Sequence, residues 1–311
     1  MPHRKKSSLP LWRLFIFAVI LLFAGTVISQ GGMFYHSLQQ LARVDLRWVA
    51  GAVGLSVIAY YLTAWLYCLV AKHPIRLGVT VIVQLVGAFA NRLLPAGGAV
   101  GVSYYYLYKH QHSAEESTAV VVVKNALNIV GHLLLLGLLV VAGQITVPGV
   151  PRQYRYVIWI VTVLLVIIAA LVVVFGQRLF RRVEQFIART WRQIASYRHR
   201  VGGLWIGLAA AVLYTICSVL ILGMSAASVG VWLTFGQLFM LLTFGIIGTA
   251  ITPTPGGIGG SEVTLFVAMT LAGVSSSQAL LIVVVYRFLT YWLPLLAGAL
   301  ALGYAQKRQY I

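Results

Sequence analysis

The sequence predicts an all-α polytopic membrane protein, with about six full transmembrane helices and two glycine-broken re-entrant hairpins in two inverted repeats. Of its 311 residues, 60% are hydrophobic and 9% are charged, against about 45–50% and about 25% in soluble domains. Apolar runs from Leu14 onward are long enough to cross a hydrocarbon core about 30 Å thick. Two proline and glycine clusters interrupt such runs. A water-soluble protein is excluded, because this chain has too few polar residues to cover its own surface.

Short polar or basic loops separate the predicted spans. The first span follows a basic N-terminal stub and is expected to be an uncleaved anchor, because no small-residue cleavage site follows it. Residues 31–48 mix polar and apolar types and are typical of an interfacial helix, as is the basic amphipathic stretch 177–200. The full spans are predicted at about Leu14–Ser29, Val49–Ala71, Ser117–Val147, Tyr156–Gly176, Leu204–Met224 and Gln278–Tyr304.

Two segments carry proline and glycine where a continuous helix would have to cross the membrane. Proline removes a helical hydrogen bond, and irregular backbone at membrane depth is tolerated only where protein or a cavity covers it. Each segment is therefore predicted to be a hairpin of two short helices. The hairpin backbone residues are Pro95, Gly97, Gly98, Gly101, Pro253, Pro255, Gly256, Gly257, Gly259 and Gly260.

The predicted elements occur twice in the same order within one membrane domain. Repeat one covers about 14–147 and repeat two about 156–304, and each contains three crossings and one hairpin. Because three is odd, the second copy is predicted to be inverted, as in many secondary transporters. If the two segments are aligned with Ala96 opposite Pro255, Gly97 and Gly98 stand opposite Gly256 and Gly257, and Gly101 stands opposite Gly260. In this alignment Ser103 stands opposite Glu262.

Basic residues indicate the orientation. If the N-terminus is inside, most of the 23 lysines and arginines flank the cytoplasmic side, including the cluster within 177–200. We therefore expect an integral multi-pass protein of the cell (cytoplasmic) membrane with both termini cytoplasmic. Loops facing anionic lipid account for the net charge of +18, so no nucleic-acid partner is expected.

Glu262 and Arg287 are the leading candidate site residues, because both lie at membrane depth. A charged side chain there costs about 2.5–3.5 kcal/mol on insertion scales and normally has a partner or a function. Glu262 opens the second arm of hairpin two and Arg287 lies within the following span, so the two are expected to meet as an ion pair. Two alternatives remain open: the pair only locks the hairpin to the helix, or Arg287 recognises an anionic group that Glu262 holds in place or alternates with.

The first repeat lacks the acid but keeps a cation. Lys124 follows hairpin one, and Asn125, Asn128 and His132 share its helix. Lys124 could equally snorkel to the interface, and the other three could be interhelical hydrogen-bonding residues only. The complete predicted substrate-binding set is Glu262, Arg287, Lys124, Asn125, Asn128, Asn91, Arg92, Tyr286 and Tyr291. Pro294 is predicted to kink the last span.

Catalytic motifs are not found in the sequence. It contains no G-x-S-x-G elbow, no HExxH and no Walker loop. Cys68 and Cys217 lie in apolar runs without metal-ligand spacing. No metal and no cofactor are therefore expected. Enzymatic activity of the protein remains an open alternative but is not favoured.

The segment PTPGGIGGSE, the later YRFLTYWLPLLAG and the earlier NRLLPAGGAVG together resemble the transmembrane region family of lysylphosphatidylglycerol synthase, a flippase-like domain. The likeness covers about Leu14 to Tyr304. It implies an integral membrane domain that moves a lipid headgroup between leaflets, with re-entrant hairpins near the membrane centre. Glu262 and Arg287 stand where that family carries its acid and its arginine. The chain ends soon after Tyr304, so we expect a stand-alone member without the soluble aminoacyltransferase domain.

The function predicted on these grounds is translocation of a lipid with an anionic headgroup, either a phospholipid or a polyprenyl phosphate. One alternative is a non-catalytic subunit or scaffold for a separate transferase of lipid aminoacylation or glycosylation. The other is a membrane-embedded lipid-modifying enzyme. The sequence does not indicate the oligomeric state, the direction of transport or its energy source.

Overall fold

The protein is described here by a computed structural model, which covers residues 44–94, 97–145, 184–199, 201–252 and 254–311. The predicted spans Leu14–Ser29 and Tyr156–Gly176, nearly all of the interfacial segment 31–48, and Pro95 and Pro253 lie outside these residues. The helices are α1 (Leu46–Val70), α2 (Leu77–Leu93), α3 (Gly98–Lys109), α4 (Ala114–Val141), α5 (Glu184–Ala195), α6 (Val201–Ala227), α7 (Phe235–Ile251), α8 (Gly260–Leu271), α9 (Ser276–Arg287) and α10 (Leu293–Lys307).

Four helices are long and apolar enough to cross a membrane: Leu46–Val70, Ala114–Val141, Gly202–Ala227 and the combined Ser276–Lys307. They confirm four of the predicted spans and the class of all-α polytopic membrane protein. The largest difference is at the end of α4, which stops at Val141 rather than near Val147. The reason is Gly143, whose φ of 67° ends the helix in a left-handed turn.

The predicted broken segments each form two short helices that pack against each other, α2 with α3 and α7 with α8. α2 and α7 both have 17 residues, and α3 and α8 both have 12. A serine, Ser113 or Ser275, then precedes the following long helix in each half. This agreement in order and length supports an internal repeat. Inversion of the second copy and re-entry of the hairpins stay predictions.

The glycine register of the two hairpins differs from the predicted one. α3 begins at Gly98 after Gly97, and α8 begins at Gly260 after Gly259, with both preceding glycines at positive φ. Gly98 is therefore the counterpart of Gly260, and the Gly101–Gly260 match was wrong. The connection from α7 to α8 is longer than that from α2 to α3, and the extra residues include Gly256 and Gly257.

Close backbone contact explains why α3 and α8 begin with glycine. A Cβ on Gly98 would lie 2.4 Å from the carbonyl of Ala90, and one on Gly260 would lie 2.5 Å from the carbonyl of Gly248. Any side chain at either position would push the arms of its hairpin apart. By contrast, Gly101 has open space around it, so no close contact requires glycine there, and its role in the hairpin backbone stays a prediction.

Helices from the two halves pack against each other. α1 lies along α6, and α10 lies along α2, where a Cβ on Gly298 would come within 2.4 Å of the Leu85 carbonyl. One buried core surrounds Phe239 and Leu222, and another surrounds Leu66 and Leu107. These contacts hold the hairpins between the long helices.

The basic helix α5 falls within the predicted amphipathic stretch 177–200 and packs against the start of α4. Arg189 lies 3.5 Å from a carboxylate oxygen of Glu115. The hydroxyl of Tyr197 donates a hydrogen bond of 2.7 Å to the carbonyl of Val70, at the end of α1. α5 and the turn that follows it at Ser196–His199 are therefore anchored on other helices by specific polar contacts, and contact of α5 with lipid stays a prediction.

Candidate functional site at the junction of the two hairpins

The predicted ion pair between Glu262 and Arg287 is present. Glu262 is the third residue of α8, and its Oε2 accepts a hydrogen bond of 2.9 Å from the backbone N–H of Gly259. Its Oε1 accepts one of 2.7 Å from Nε of Arg287, at the end of α9. The Glu262 side chain is 27% exposed and the Arg287 side chain is 13% exposed. The carboxylate thus bridges the start of one helix to the end of the next.

Tyr291 brings a second arginine to this pair. The Cζ atom of Arg287 lies 5.0 Å from the centre of the Tyr291 ring, and Cζ of Arg92 lies 5.2 Å from the same ring. The ring also packs so closely on Gly256 that a Cβ there would lie 2.5 Å from Cε2 of Tyr291. Gly256 has a φ of 65° as well, so only glycine fits at this position. Residues from both hairpins therefore meet at one aromatic ring.

Arg92, in the last turn of α2, crosses to the second half of the chain. Its guanidinium donates hydrogen bonds to the carbonyls of Ala88 and Thr290, whereas its Nε is buried without a partner. Thr290 is four residues before Pro294. Because proline has no N–H, it cannot make the α-helical hydrogen bond to that carbonyl, and Arg92 occupies the position instead.

The predicted kink at Pro294 takes the form of a π-helical turn at Phe288–Trp292. Within it, the N–H of Leu293 donates to the carbonyl of Phe288, five residues earlier. Single π-turns inside α-helices are frequent at functional sites. Here the turn carries Thr290 and Tyr291, so the local irregularity positions two of the groups that contact Arg92.

The charges of this cluster do not balance. Two guanidinium groups, Arg92 and Arg287, share one carboxylate, Glu262, and the nearby polar groups are neutral. The five acidic residues of the whole sequence are Asp45, Glu115, Glu116, Glu184 and Glu262. The first four lie at the beginning of α1, α4 or α5. One positive charge is therefore left at the junction, and an anion would neutralise it.

A cavity of about 140 Å³ opens beside Arg287. A cavity of about 150 Å³ holds a group the size of benzene, so the space fits a phosphate but not a complete lipid. Ser261, Thr249 and Thr290 contribute polar groups to its wall, and Tyr286 is also part of the lining. The remaining lining residues are Leu242, Gly245, Ile246 and Leu265.

Lys124, Asn125 and Asn128 are half-buried on α4 and make no described contact with this cluster. The Lys124 amine lies 5.4 Å from the ring centre of Tyr67 on α1. His132 lies further along α4, where its Nε2 is 3.1 Å from the hydroxyl of Thr243 on α7. Asn91 is exposed. Of the predicted substrate-binding set, the junction thus brings together Glu262, Arg287, Arg92, Tyr291 and Tyr286.

The sequence did not reveal the contact of Arg92 with Thr290 and Tyr291. A signal was available in Pro294, which frees a carbonyl in the preceding turn, but the sequence does not show which donor would reach it. Within the described residues, no three His, Cys, Asp or Glu side chains are grouped as a metal site requires.

An apolar helical bundle with an ion pair inside its spans is characteristic of integral polytopic membrane proteins, and this chain is one. The family model described as "Lysylphosphatidylglycerol synthase TM region" matches residues 10–298. The chain therefore belongs to this family, as its motifs predicted. No curated protein matches it.

Proposed function

We propose that this protein is a lipid translocase that moves an anionic headgroup, of a phospholipid or a polyprenyl phosphate, across the membrane. The proposal rests on one observation: two guanidinium groups, Arg92 and Arg287, share the single carboxylate of Glu262, which leaves one positive charge unbalanced. An uncompensated cation inside the spans is costly, and a phosphate group would remove that cost. Membership of a lipid-related membrane family supports the same class of function.

Arg287 is the residue we expect to receive the headgroup. It borders the cavity, and Glu262 holds its Nε from one side. A phosphate entering the cavity would compete with the carboxylate or share the guanidinium with it, since arginine can donate to two oxygens at once. The cavity is too small for acyl chains, which would remain in the bilayer while the headgroup moves.

The Tyr291 ring would hold Arg287 in place and, because Arg92 lies over the same ring, would link the state of Arg287 to the first hairpin. Arg92 makes its hydrogen bond to Thr290 from α2, whereas Arg287 and Tyr291 follow hairpin two. A movement of one hairpin relative to the other would therefore change the surroundings of the bound anion. Such a link is what alternating access between the two leaflets requires.

Translocation is tested in proteoliposomes of phosphatidylcholine containing a trace of fluorescent phosphatidylglycerol, with dithionite quenching of the outer leaflet as the measurement. Arg287→Met is expected to lower the protein-dependent rate at least about tenfold, because it removes the headgroup's main charge partner. Arg308→Met, at an exposed position, is the matched control and should keep the parental rate.

The outcome also separates the rival functions. Parental rates in both Arg287→Met and Glu262→Gln would refute the translocase and favour a scaffold for a separate lipid-modifying transferase. A new lipid species found by mass spectrometry would instead indicate a membrane-embedded enzyme. Repeating the translocation assay with a fluorescent polyprenyl phosphate in place of phosphatidylglycerol distinguishes the two lipid classes.

A further inference from the structure

The two halves of the chain place different groups at equivalent positions of their last long helix. α4 begins at Ala114 after Ser113, and α9 begins at Ser276 after Ser275. Counted from these starts, Asn125 occupies the position of Arg287, and Lys124 occupies that of Tyr286. The first half thus presents its cation one residue earlier, on a neighbouring face of the helix.

The counter-ion is missing from the first half. Glu262 is the third residue of α8, and the third residue of α3 is Val100. Lys124 forms no ion pair among the residues described, and its one described hydrogen bond is a long contact of 3.4 Å to Asn125. Lys124 is therefore a cation inside a span with no carboxylate to balance it, ten residues after the start of α4.

An unsatisfied acceptor lies one helical turn from this amine. The Oδ1 atom of Asn128 is buried without a hydrogen-bond partner. Residues four apart on a helix lie on the same face, so Lys124 and Asn128 can contact one ligand. An ammonium group suits a phosphate, and a vacant amide oxygen suits a hydroxyl donor.

This site is separate from the one at Arg287. Lys124 lies over Tyr67 of α1, whereas Arg92 lies close to Tyr60 of the same helix. Seven residues of α-helix rise about 10 Å. The two cationic sites are thus about two helical turns apart along α1, and Tyr67 is the one nearer to the basic loop that carries Lys72 and Arg76.

We infer that Lys124 and Asn128 form a second headgroup site in the first half, which binds a phosphate group carrying a hydroxyl, such as a glycerol or sugar phosphate. The headgroup would occupy this site and the Arg287 site at different stages of translocation. Only the identification of the ligand as a transported lipid headgroup rests on the proposed function. Binding at Lys124 is a property of this chain that can be measured without transport.

The test is a calorimetric titration of the full chain in nanodiscs of phosphatidylcholine with dihexanoylphosphatidylglycerol. The parent is expected to bind at two sites per chain. Asn128→Asp, a nearly isosteric change, places an internal carboxylate one turn from Lys124 and should weaken one site about thirtyfold or more. Lys124→Met should abolish the same site, Lys124→Arg should retain it, and Lys109→Met at an exposed position should leave both sites unchanged.

Retention of two parental sites in both Asn128→Asp and Lys124→Met would overturn the inference. A single binding site in the parent, removed only by Arg287→Met, would also overturn the inference.

Farnesyl phosphate and inorganic phosphate are titrated in two further experiments. If inorganic phosphate bound with the same affinity as dihexanoylphosphatidylglycerol, the site would be one for free anions, which would contradict a lipid site. The parent could move no lipid and yet bind at two sites, one of which is lost in the Lys124→Met variant. That result would contradict the proposed translocase function but would support the second binding site.

Discussion

The guanidinium of Arg92 lies over the ring of Tyr291, with 5.2 Å between Cζ and the ring centre. This contact joins the end of α2, at the tip of the first hairpin, to the π-helical turn in the last long helix. Arg287 approaches the same ring at 5.0 Å. A single aromatic side chain therefore serves two cations that come from different halves of the chain.

Replacing Tyr291 should separate the effect of the ring from that of its hydroxyl. Tyr291→Leu is expected to lower the free energy of unfolding by about 2 kcal/mol, because both cation–π contacts are lost in a partly desolvated site. Tyr291→Phe keeps an aromatic face and should lose less than half as much. Unfolding in mixed micelles with increasing sodium dodecyl sulfate measures both values. Equal losses in the two variants would argue against cation–π stabilisation.

The Glu262–Arg287 pair should show strong coupling in a double-mutant cycle. Glu262→Gln and Arg287→Gln are each expected to cost about 3 kcal/mol, since each leaves an unpaired charge in an apolar region. The double variant should cost clearly less than the sum of the two. The pair of half-buried Glu115 and exposed Arg189, 3.5 Å apart, is the control and should show a coupling below about 1 kcal/mol. Additive losses at Glu262 and Arg287 would mean that the pair contributes no coupling.

Gly98 and Gly101 offer a matched test of hairpin packing, because they lie one turn apart on the same helix. Gly98→Ala should destabilise the fold by about 2 kcal/mol, since its Cβ would meet the Ala90 carbonyl at 2.4 Å. Gly101→Ala meets nothing within 4 Å and should stabilise the fold by about 0.5–1 kcal/mol. The same titration with dodecyl sulfate measures both. A stabilising Gly98→Ala would show that the arms of this hairpin are not in close contact.

His112 should make stability depend on pH. It lies buried in the connection between α3 and α4, where its Nε2 accepts a hydrogen bond of 3.2 Å from the backbone N–H of His73. Burial lowers the pKa of His112 below its ordinary value of 6.5, because the protonated ring would lose this bond and its hydration. The folded state then prefers the neutral ring, so this contribution to stability is complete above pH 6.5 and is lost as the pH falls through the lowered pKa.

Thermal unfolding between pH 7.5 and 5.5 tests this dependence. The parent is expected to lose stability toward pH 5.5, whereas His112→Asn, which does not titrate, should be less stable at pH 7.5 and should change less with pH. A His73→Asn variant keeps the backbone N–H donor and should retain most of the parental dependence. If His112→Asn follows the parental curve, another group is responsible for the pH effect.

The sequence was sufficient for features that depend on composition and local pattern. Long apolar runs predicted the four spans that the structure describes, and proline with glycine predicted where each pair of short helices is interrupted. Glu262 and Arg287 could be paired from sequence because isolated charges in such spans are few. Whether both carry out headgroup binding stays a prediction.

Other features depend on contacts that composition does not reveal. Gly256 and Gly260 look alike in sequence, yet one packs on Tyr291 and the other begins α8 against Gly248. Only the position of the helix start distinguishes these two glycines. An alignment of the two glycine runs by sequence alone therefore gave the wrong register between the hairpins. The meeting of Arg92 with Thr290 likewise depends on how α2 and α10 pack, and no local pattern encodes that packing.

The π-helical turn at Phe288–Trp292 has a consequence for α10 as a whole. A π-turn contains one residue more than the α-helical path it replaces, and each residue rotates a helix by about 100°. Everything after Trp292 is therefore turned relative to a straight continuation of α9. Deleting one residue from this turn would restore regular winding, rotate Gly298 away from Leu85 and present a bulkier face of α10 to α2. A single inserted residue at this point is enough to set which face of the last helix meets the first hairpin.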